Sequence, residues 1–295
     1  MPDPVVTDLQ ALHRTARRPL WWRMLRWLPN AMPGKGRLSR WSLPAGPVRV
    51  RLDCGHEVLA PDGKEPMVSF AAVFGNYEQA TLECMTRWQA ARGGSIVDVG
   101  ANIGMLAVPL AARLGGDAQL LAIEGSPRVH AFLMHNIARS GLAHRIQVRK
   151  VLCGESDGGQ VPFFDAPQQC FGMGSRAPQF QAEPTALLPL RTLDSLLEDA
   201  SLQRVTVLKV DVEGYELEVF KGAVRCLAAC RPLVVFEFND WAEQRRGDVP
   251  VGAAQDFLLA AGYQLHLLQP DGGIGEPLAA PIRSGSAMLV ARPDG

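Results

Sequence analysis

The order of apolar runs in this chain predicts an α/β fold: a mostly parallel central sheet, helices on both faces and an antiparallel edge. Three observations carry that expectation. Short strand-like runs alternate with helix-length segments from about residue 96 onward, the rhythm of repeated βα units. Four of those runs end in or near an acid, at Asp98, Glu124, Asp211 and Glu237. The last two strand-like runs follow one another with no helix between them, as antiparallel neighbours can.

Taken in order, Val48, Val50, Leu52 and Val58 alternate around a Cys54-Gly55-His56 turn and predict a small hairpin over 47–60. Helical spacing runs from Tyr77 to Trp88 and stops at Arg92-Gly93-Gly94. Next come a strand at 96–99, a helix at 103–114, a strand at 119–123, a helix at 128–139 and a strand at 146–152. A loop-rich insertion is expected from 154 to about 184, then a strand at 187–191 and a short helix at 193–198. The remainder reads as strand 205–210, helix 215–229 broken at Gly222, strand 232–238, helix 253–261 and strands 263–268 and 287–291.

The chain has 295 residues, 47% of them apolar and 20% charged, an ordinary balance for a globular protein able to bury a large core. No apolar run approaches the roughly 18–20 residues that a membrane span needs, and no secretory signal pattern stands at the N-terminus. Six cysteines lack paired metal-ligand spacing, which suits small buried hydrophobes in a reducing cytoplasm. The net charge of zero hides an asymmetry: ten bases precede residue 52, against only Asp3 and Asp8. Residues 1–46 therefore read as a basic, tryptophan-rich extension and 47–295 as the main domain. Within the extension, 8–28 can form a helix mixing Arg17, Arg18, Arg23 and Arg26 with Trp21, Trp22 and Trp27. That helix suits docking on the chain's own domain or on an acidic partner. It also suits peripheral contact with the inner membrane surface. A duplex-binding face needs clustered Lys and Arg; the core is acidic, so no nucleic-acid partner is expected.

Two blocks carry the chemistry. The first, Ser95-Ile-Val-Asp98-Val-Gly100-Ala-Asn102-Ile-Gly104-Met-Leu106, is a strand, a glycine turn and a helix start. Its D-x-G-x-x-x-G spacing lacks the middle glycine of a dinucleotide loop. The carboxylate before the turn disfavours a pyrophosphate and suits a cationic or hydroxyl-bearing ligand. The second block, over a hundred residues on, is Leu208-Lys209-Val-Asp211-Val-Glu213-Gly214-Tyr-Glu216-Leu-Glu218-Val-Phe-Lys221-Gly222-Ala223. Together they resemble the FkbM family of S-adenosylmethionine-dependent methyltransferases, whose first motif reads D-V-G-A-N-x-G, over about residues 70–268. The resemblance implies a Rossmann-like class I methyltransferase fold and S-adenosylmethionine as cofactor. It further implies O-methylation of a hydroxyl on a sugar, glycan or natural-product acceptor. The alternative is a non-catalytic protein that keeps the cofactor-binding fold.

On that resemblance Asp98 faces the methionine end of the cofactor, unless it only caps the helix near residue 103. Gly100 and Gly104 allow close approach, and Asn102 bonds nearby backbone or the cofactor carboxylate. Glu124 takes the ribose hydroxyls, while Ser126 can cap the next helix. Leu152, Cys153 and Glu155 are positional candidates for the adenine slot. Asp211 is the leading catalytic candidate: it or Glu213 takes the acceptor's proton or orients its hydroxyl. Glu213 also fits a plain first-turn helix acid. Lys209 is expected to pair with an acid, and Glu216, Glu218 and Lys221 to form a solvated helix face. Asp211, Glu237 and Asp240 could together bind a divalent ion, but the resemblance requires no metal and none is expected; acid pairing or acceptor binding is the preferred reading, and Glu237 is assigned to the acceptor. The stretch Gln169–Arg176 reads either as a lid, with Phe171 covering the acceptor and Ser175 or Arg176 contacting it, or as an ordinary surface loop.

Overall fold

The computed structural model describes residues 43–293. The helix expected at 8–28 and nearly all of the basic extension lie outside the described residues.

The predicted hairpin is present, with β1 (Val48–Arg51) antiparallel to β2 (Glu57–Ala60) and Val50 opposite Val58. Asn136 ties it to the domain, bonding both the amide (2.7 Å) and the carbonyl (2.9 Å) of Leu59 and the carbonyl of Ile103 (2.8 Å). A helix follows that periodicity did not announce, α1 (Pro66–Phe74). Its sequence is apolar on nearly every face and six of its residues are buried, so no amphipathic period marks it. Pro66 opens the helix and Gly75, in the left-handed region, closes it.

The α/β alternation then runs as expected: α2 (Gln79–Arg92), β3 (Ser95–Val99), α3 (Ala107–Arg113), β4 (Leu120–Ile123), α4 (Pro127–Ser140) and β5 (Ile146–Arg149). Helix α3 begins four residues later than predicted, because 100–106 form the turn that lines the site. The strand expected at 146–152 divides. Its second part, β6 (Leu152–Cys153), leaves the main sheet for a three-stranded one with β7 (Gln160–Phe163) and β8 (Ala186–Arg191). The expected loop-rich insertion thus holds a small sheet and a 3-10 turn at Gln168–Met173.

Next come α5 (Leu193–Asp199), β9 (Val205–Val210), α6 (Glu216–Lys221) and α7 (Val224–Ala229). The break between α6 and α7 falls at Gly222 as predicted; a Cβ there would lie 2.0 Å from the Gly154 carbonyl oxygen. The chain continues through β10 (Leu233–Asn239), α8 (Asp240–Arg246), α9 (Ala253–Ala260), β11 (Tyr263–Leu268), β12 (Ile274–Pro277) and β13 (Ser286–Pro293). The sequence reading missed the short α8 and β12.

The main sheet has the order β12-β11-β13-β10-β9-β3-β4-β5. Strands β5, β4, β3, β9 and β10 are parallel. Strand β13 runs antiparallel between β10 and β11, and β12 forms the antiparallel edge. Apolar side chains bury both faces, including Val97, Leu121, Leu208 and Phe236 on one and Ile96, Leu120, Val207 and Val235 on the other. Successive strands are laid outward in opposite directions from β3 and β9. The carboxyl ends of that pair are where an open α/β sheet leaves its ligand crevice. Among the described residues no helix is long and apolar enough to cross a membrane.

Candidate active site

A cavity of about 370 Å³ opens at those strand ends. The turn after β3 makes its floor, and the ends of β4, β6 and β9 make its sides. The 171–176 segment and residues 65–78 cover it.

Asp98 closes β3 fully buried, in register with Lys209 on β9. Lys209 Nζ lies 3.2 Å from Asp211 Oδ2 and 3.8 Å from Asp98 Oδ1. Neither Asp98 oxygen has a hydrogen-bond partner among the described residues. Burial pushes the Asp98 carboxyl up, and Lys209 opposes that shift. For Lys209, burial opposes the charge, but Asp211 and Asp98 outweigh it and hold the ammonium well above its ordinary range. Lys209 therefore pairs with acids, as expected. Asp98 caps no helix, since α3 starts at Ala107 without a side-chain cap.

Glu124 follows β4, buried, with Oε2 accepting from the Asn102 amide (2.9 Å) and Oε1 from the Ser126 amide (2.8 Å). Burial raises its carboxyl to about 7 against the pull of those two amides. Ser126 caps α4 by accepting from the Val129 amide. Asn102, at φ +51°, turns its side-chain oxygen to the Ile103 amide at 2.8 Å. Both glycines are required by packing within the fold itself. A Cβ on Gly100 would stand 1.9 Å from the Asp211 carbonyl oxygen, and one on Gly104 3.0 Å from Leu133. Gly100 still lines the cavity; Gly104 lies behind the wall. Leu152 and Cys153 line it too, whereas Glu155 points outward to Lys221 at 2.9 Å.

The loop after β9 is set by an acid that the sequence reading placed in solvent. Glu216 is 2% exposed and its Oε1 accepts from the amides of Val212 (3.0 Å) and Gly214 (3.3 Å). Glu218 is buried as well, paired with Arg246 at 2.5 Å. Only Lys221 keeps the exposed position expected of all three. Glu213 is held in the left-handed region at φ +57°, a strained conformation for a side chain of its size. It comes before α6 begins, so it is not a first-turn helix acid. Glu213 and Glu237 approach Asp211 so closely that one oxygen of each lies within 4.8 Å of the others. Burial and then the Asp211 charge push Glu213 up to about 8 and Glu237 to about 9. Glu237 reaches this cluster from β10 without forming part of the cavity wall. Asp240 does not join it; its Oδ2 accepts from the Gly285 amide.

These raised carboxyls have a consequence for stability. Glu65, Glu124 and Glu216 titrate near 7, Glu213 near 8 and Glu237 near 9, against 4.5 in the unfolded chain. The folded state binds protons more tightly, so their contribution is complete below pH 4.5 and is lost as pH rises through 7–9. The melting temperature of the ligand-free protein is expected to fall between pH 6 and pH 9. A flat or rising profile by calorimetry over that window would contradict the burial of these groups.

In the lid, Phe171 is buried and Ser175 and Arg176 line the cavity as anticipated. Ser175 is held by paired backbone bonds to Phe164, and its Oγ reaches the Glu213 carbonyl at 3.5 Å. Arg176 stacks on the Tyr215 ring at 4.6 Å. The sequence reading missed the opposite wall, with Glu65, Met67, Phe70, Tyr77 and Glu78. No motif marks it: Glu65, Met67 and Phe70 belong to the unannounced α1 and its entrance, while Tyr77 and Glu78 stand at the start of α2, which helical spacing predicted without giving its first residues a role.

Residues 98–265 match the methyltransferase FkbM domain. Methyltransferase sdnD of Sordaria araneosa is 30% identical over 156 residues, covering 43% of this chain and 59% of that protein. The structure of methyltransferase FkbM from Methylobacillus flagellatus aligns at 19% identity with a TM-score of 0.44, over 77% of this chain and 53% of that one. An O-methyltransferase from Bacillus cereus, solved in complex with SAH, aligns at 15% identity with a TM-score of 0.45, over 74% and 83%. This chain thus spans little more than half the length of the first two. The Asp98 and Asp211 blocks, which the fold brings into direct contact at Gly100, both lie inside the matched span, and the chain belongs to the methyltransferase FkbM family.

Proposed function

We propose that this domain is an S-adenosylmethionine-dependent O-methyltransferase acting on a hydroxyl of a sugar, glycan or natural-product small molecule. Family membership supports methyl transfer. The observation that carries the choice of cofactor is Asp98, a fully buried carboxylate on the cavity wall whose oxygens have no hydrogen-bond partner among the described residues and only a share, at 3.8 Å, in the Lys209 ammonium that lies closer to Asp211. Such an acid costs stability unless a ligand satisfies it, and an ammonium group does so. Glu124 suits the ribose hydroxyls, because each of its oxygens uses one lone pair on an amide and keeps another. Apolar side chains of Ile123, Val151, Leu152 and Cys153 suit the adenine ring. When bound, S-adenosylmethionine supplies an electrophilic methyl group on a sulfonium.

The chain's own residues then align the acceptor and handle its proton. Asp211, steadied by Lys209, orients the hydroxyl. Glu213, raised to about 8, accepts the proton as the oxygen gains its methyl group; a proton affinity near neutral pH is what a general base needs. Phe171, Met67 and Phe70 close an apolar cover over the site and keep water from competing.

Titration calorimetry with S-adenosylmethionine tests the assignment. The wild-type protein is expected to bind it, and Asp98→Ala and Glu124→Ala to weaken binding by about tenfold or more each, as loss of a hydrogen bond to a charged group does. Failure of the wild-type protein to bind would sink this reading. Binding with no turnover on any hydroxyl acceptor would favour a non-catalytic role.

A further inference from the structure

Glu65 and Glu78 lie outside the family match, and the transfer chemistry gives them no task. Glu65 stands at the entrance to α1; Glu78 precedes α2 in the left-handed region at φ +50°. Both line the cavity, beside Phe70 and Tyr77. Glu65 is only 5% exposed. Its Oε2 and that of Glu78 are buried with no hydrogen-bond partner among the described residues.

The charges around them explain what is missing. Asp62 and Glu213 repel a negative charge on Glu65, while the backbone amides of Phe171, Gly172 and Met67 favour it, as the Thr81 hydroxyl does for Glu78. Lys209 attracts Glu78, but Asp211 and Asp98 repel it, and those two already share the Lys209 ammonium. Arg176 is stacked on Tyr215. Even with those donors, one oxygen of each acid is left without a partner among the described residues, in the same cavity lining as Asp211 and Glu213.

We propose that Glu65 and Glu78 recognise a protonated amine on the acceptor, so that the substrate is a hydroxyl compound carrying an ammonium group, of the amino-sugar or amino-alcohol class. This deepens the methyltransferase reading and rests on it. An ammonium group brings three donors and a positive charge to two oxygens that lack both. Hydroxyl groups of a neutral sugar can donate, yet they leave the repulsion among the acids uncompensated. Aromatic neighbours such as Phe70 and Tyr77 also suit a cation better than an anion.

The test is calorimetry on protein loaded with S-adenosylhomocysteine, titrated with glucosamine, serinol, their N-acetyl forms and glucose. The amines are expected to bind about tenfold or more tighter than the N-acetyl forms and glucose. Glu65→Gln and Glu78→Gln should each erase most of that preference while S-adenosylmethionine affinity stays at the wild-type value and the melting temperature at neutral pH equals or exceeds it, since burial disfavours both carboxylates. Equal or tighter binding of the neutral compounds, no binding of either amine to loaded protein, or a preference that survives both substitutions would overturn the assignment. If the nucleoside itself does not load, the methyltransferase reading falls first and takes this one with it.

Discussion

Asp211→Asn is expected to leave S-adenosylmethionine affinity within about threefold of wild type and to lower turnover by roughly 100-fold or more, because the acceptor hydroxyl loses the group that orients it and Glu213 loses a neighbour that raises its proton affinity. The side chain is near isosteric, so the loop held by Glu216 should survive the change. What disappears is the charge that Lys209 steadies and that keeps Glu213 protonated up to about pH 8. In the wild-type protein, activity should rise with pH as Glu213 loses its proton near 8. With the Asp211 charge gone, that limb should shift toward lower pH even as the maximum falls. Glu213→Gln should abolish the limb altogether. Unchanged turnover in Asp211→Asn would remove Asp211 from the chemistry. An unmoved limb would show that Glu213 is not the titrating base.

Gly100→Ala is expected to be the most damaging single-methyl change at the site. The added Cβ would fall 1.9 Å from the Asp211 carbonyl oxygen, and the residue sits at φ +83°. Left-handed backbone and overpacking against main chain together cost roughly 3–5 kcal/mol. In a domain of this size that lowers the melting temperature by roughly 10 °C. Gly116→Ala is the internal control. It too has a positive φ, +57°, but its Cβ would meet nothing within 4 Å, so the cost should stay near 1 kcal/mol. Equal melting temperatures for the two variants would mean that the Gly100–Asp211 contact is not close in solution.

The strand ends were legible in the sequence because apolar strand, acid and glycine turn are adjacent in the chain. Asp98, Glu124 and Asp211 were found that way, and so was the break at Gly222. What the sequence could not show depends on partners far apart along the chain. Glu216 looked like part of a solvated face until the fold turned it back onto the Val212 and Gly214 amides. Glu218 looked the same until α8, itself unanticipated, delivered Arg246. The glycines were recognised at the right positions, but the sequence did not show that Gly100 makes room for the Asp211 carbonyl as well as lining the cavity. Glu65 and Glu78 carry no local signal at all, since neither lies in a motif and their cavity exists only after α1 docks. Contiguous residues thus showed the strand-end acids and the 169–176 segment, and only the assembled fold showed the wall at 65–78.

The placement of β13 between β10 and β11 bears on how the protein is made. Ribosomes release a chain from its N-terminus, and domains fold as that chain emerges. Until Ser286–Pro293 appear, β11 and β12 have no ladder connecting them to the rest of the sheet, and the outer edge of β10 stays unpaired. That exposed edge is a template for association with other chains. A chain in which residues 286–293 have not yet paired thus carries an association hazard along β10 that the folded sheet removes.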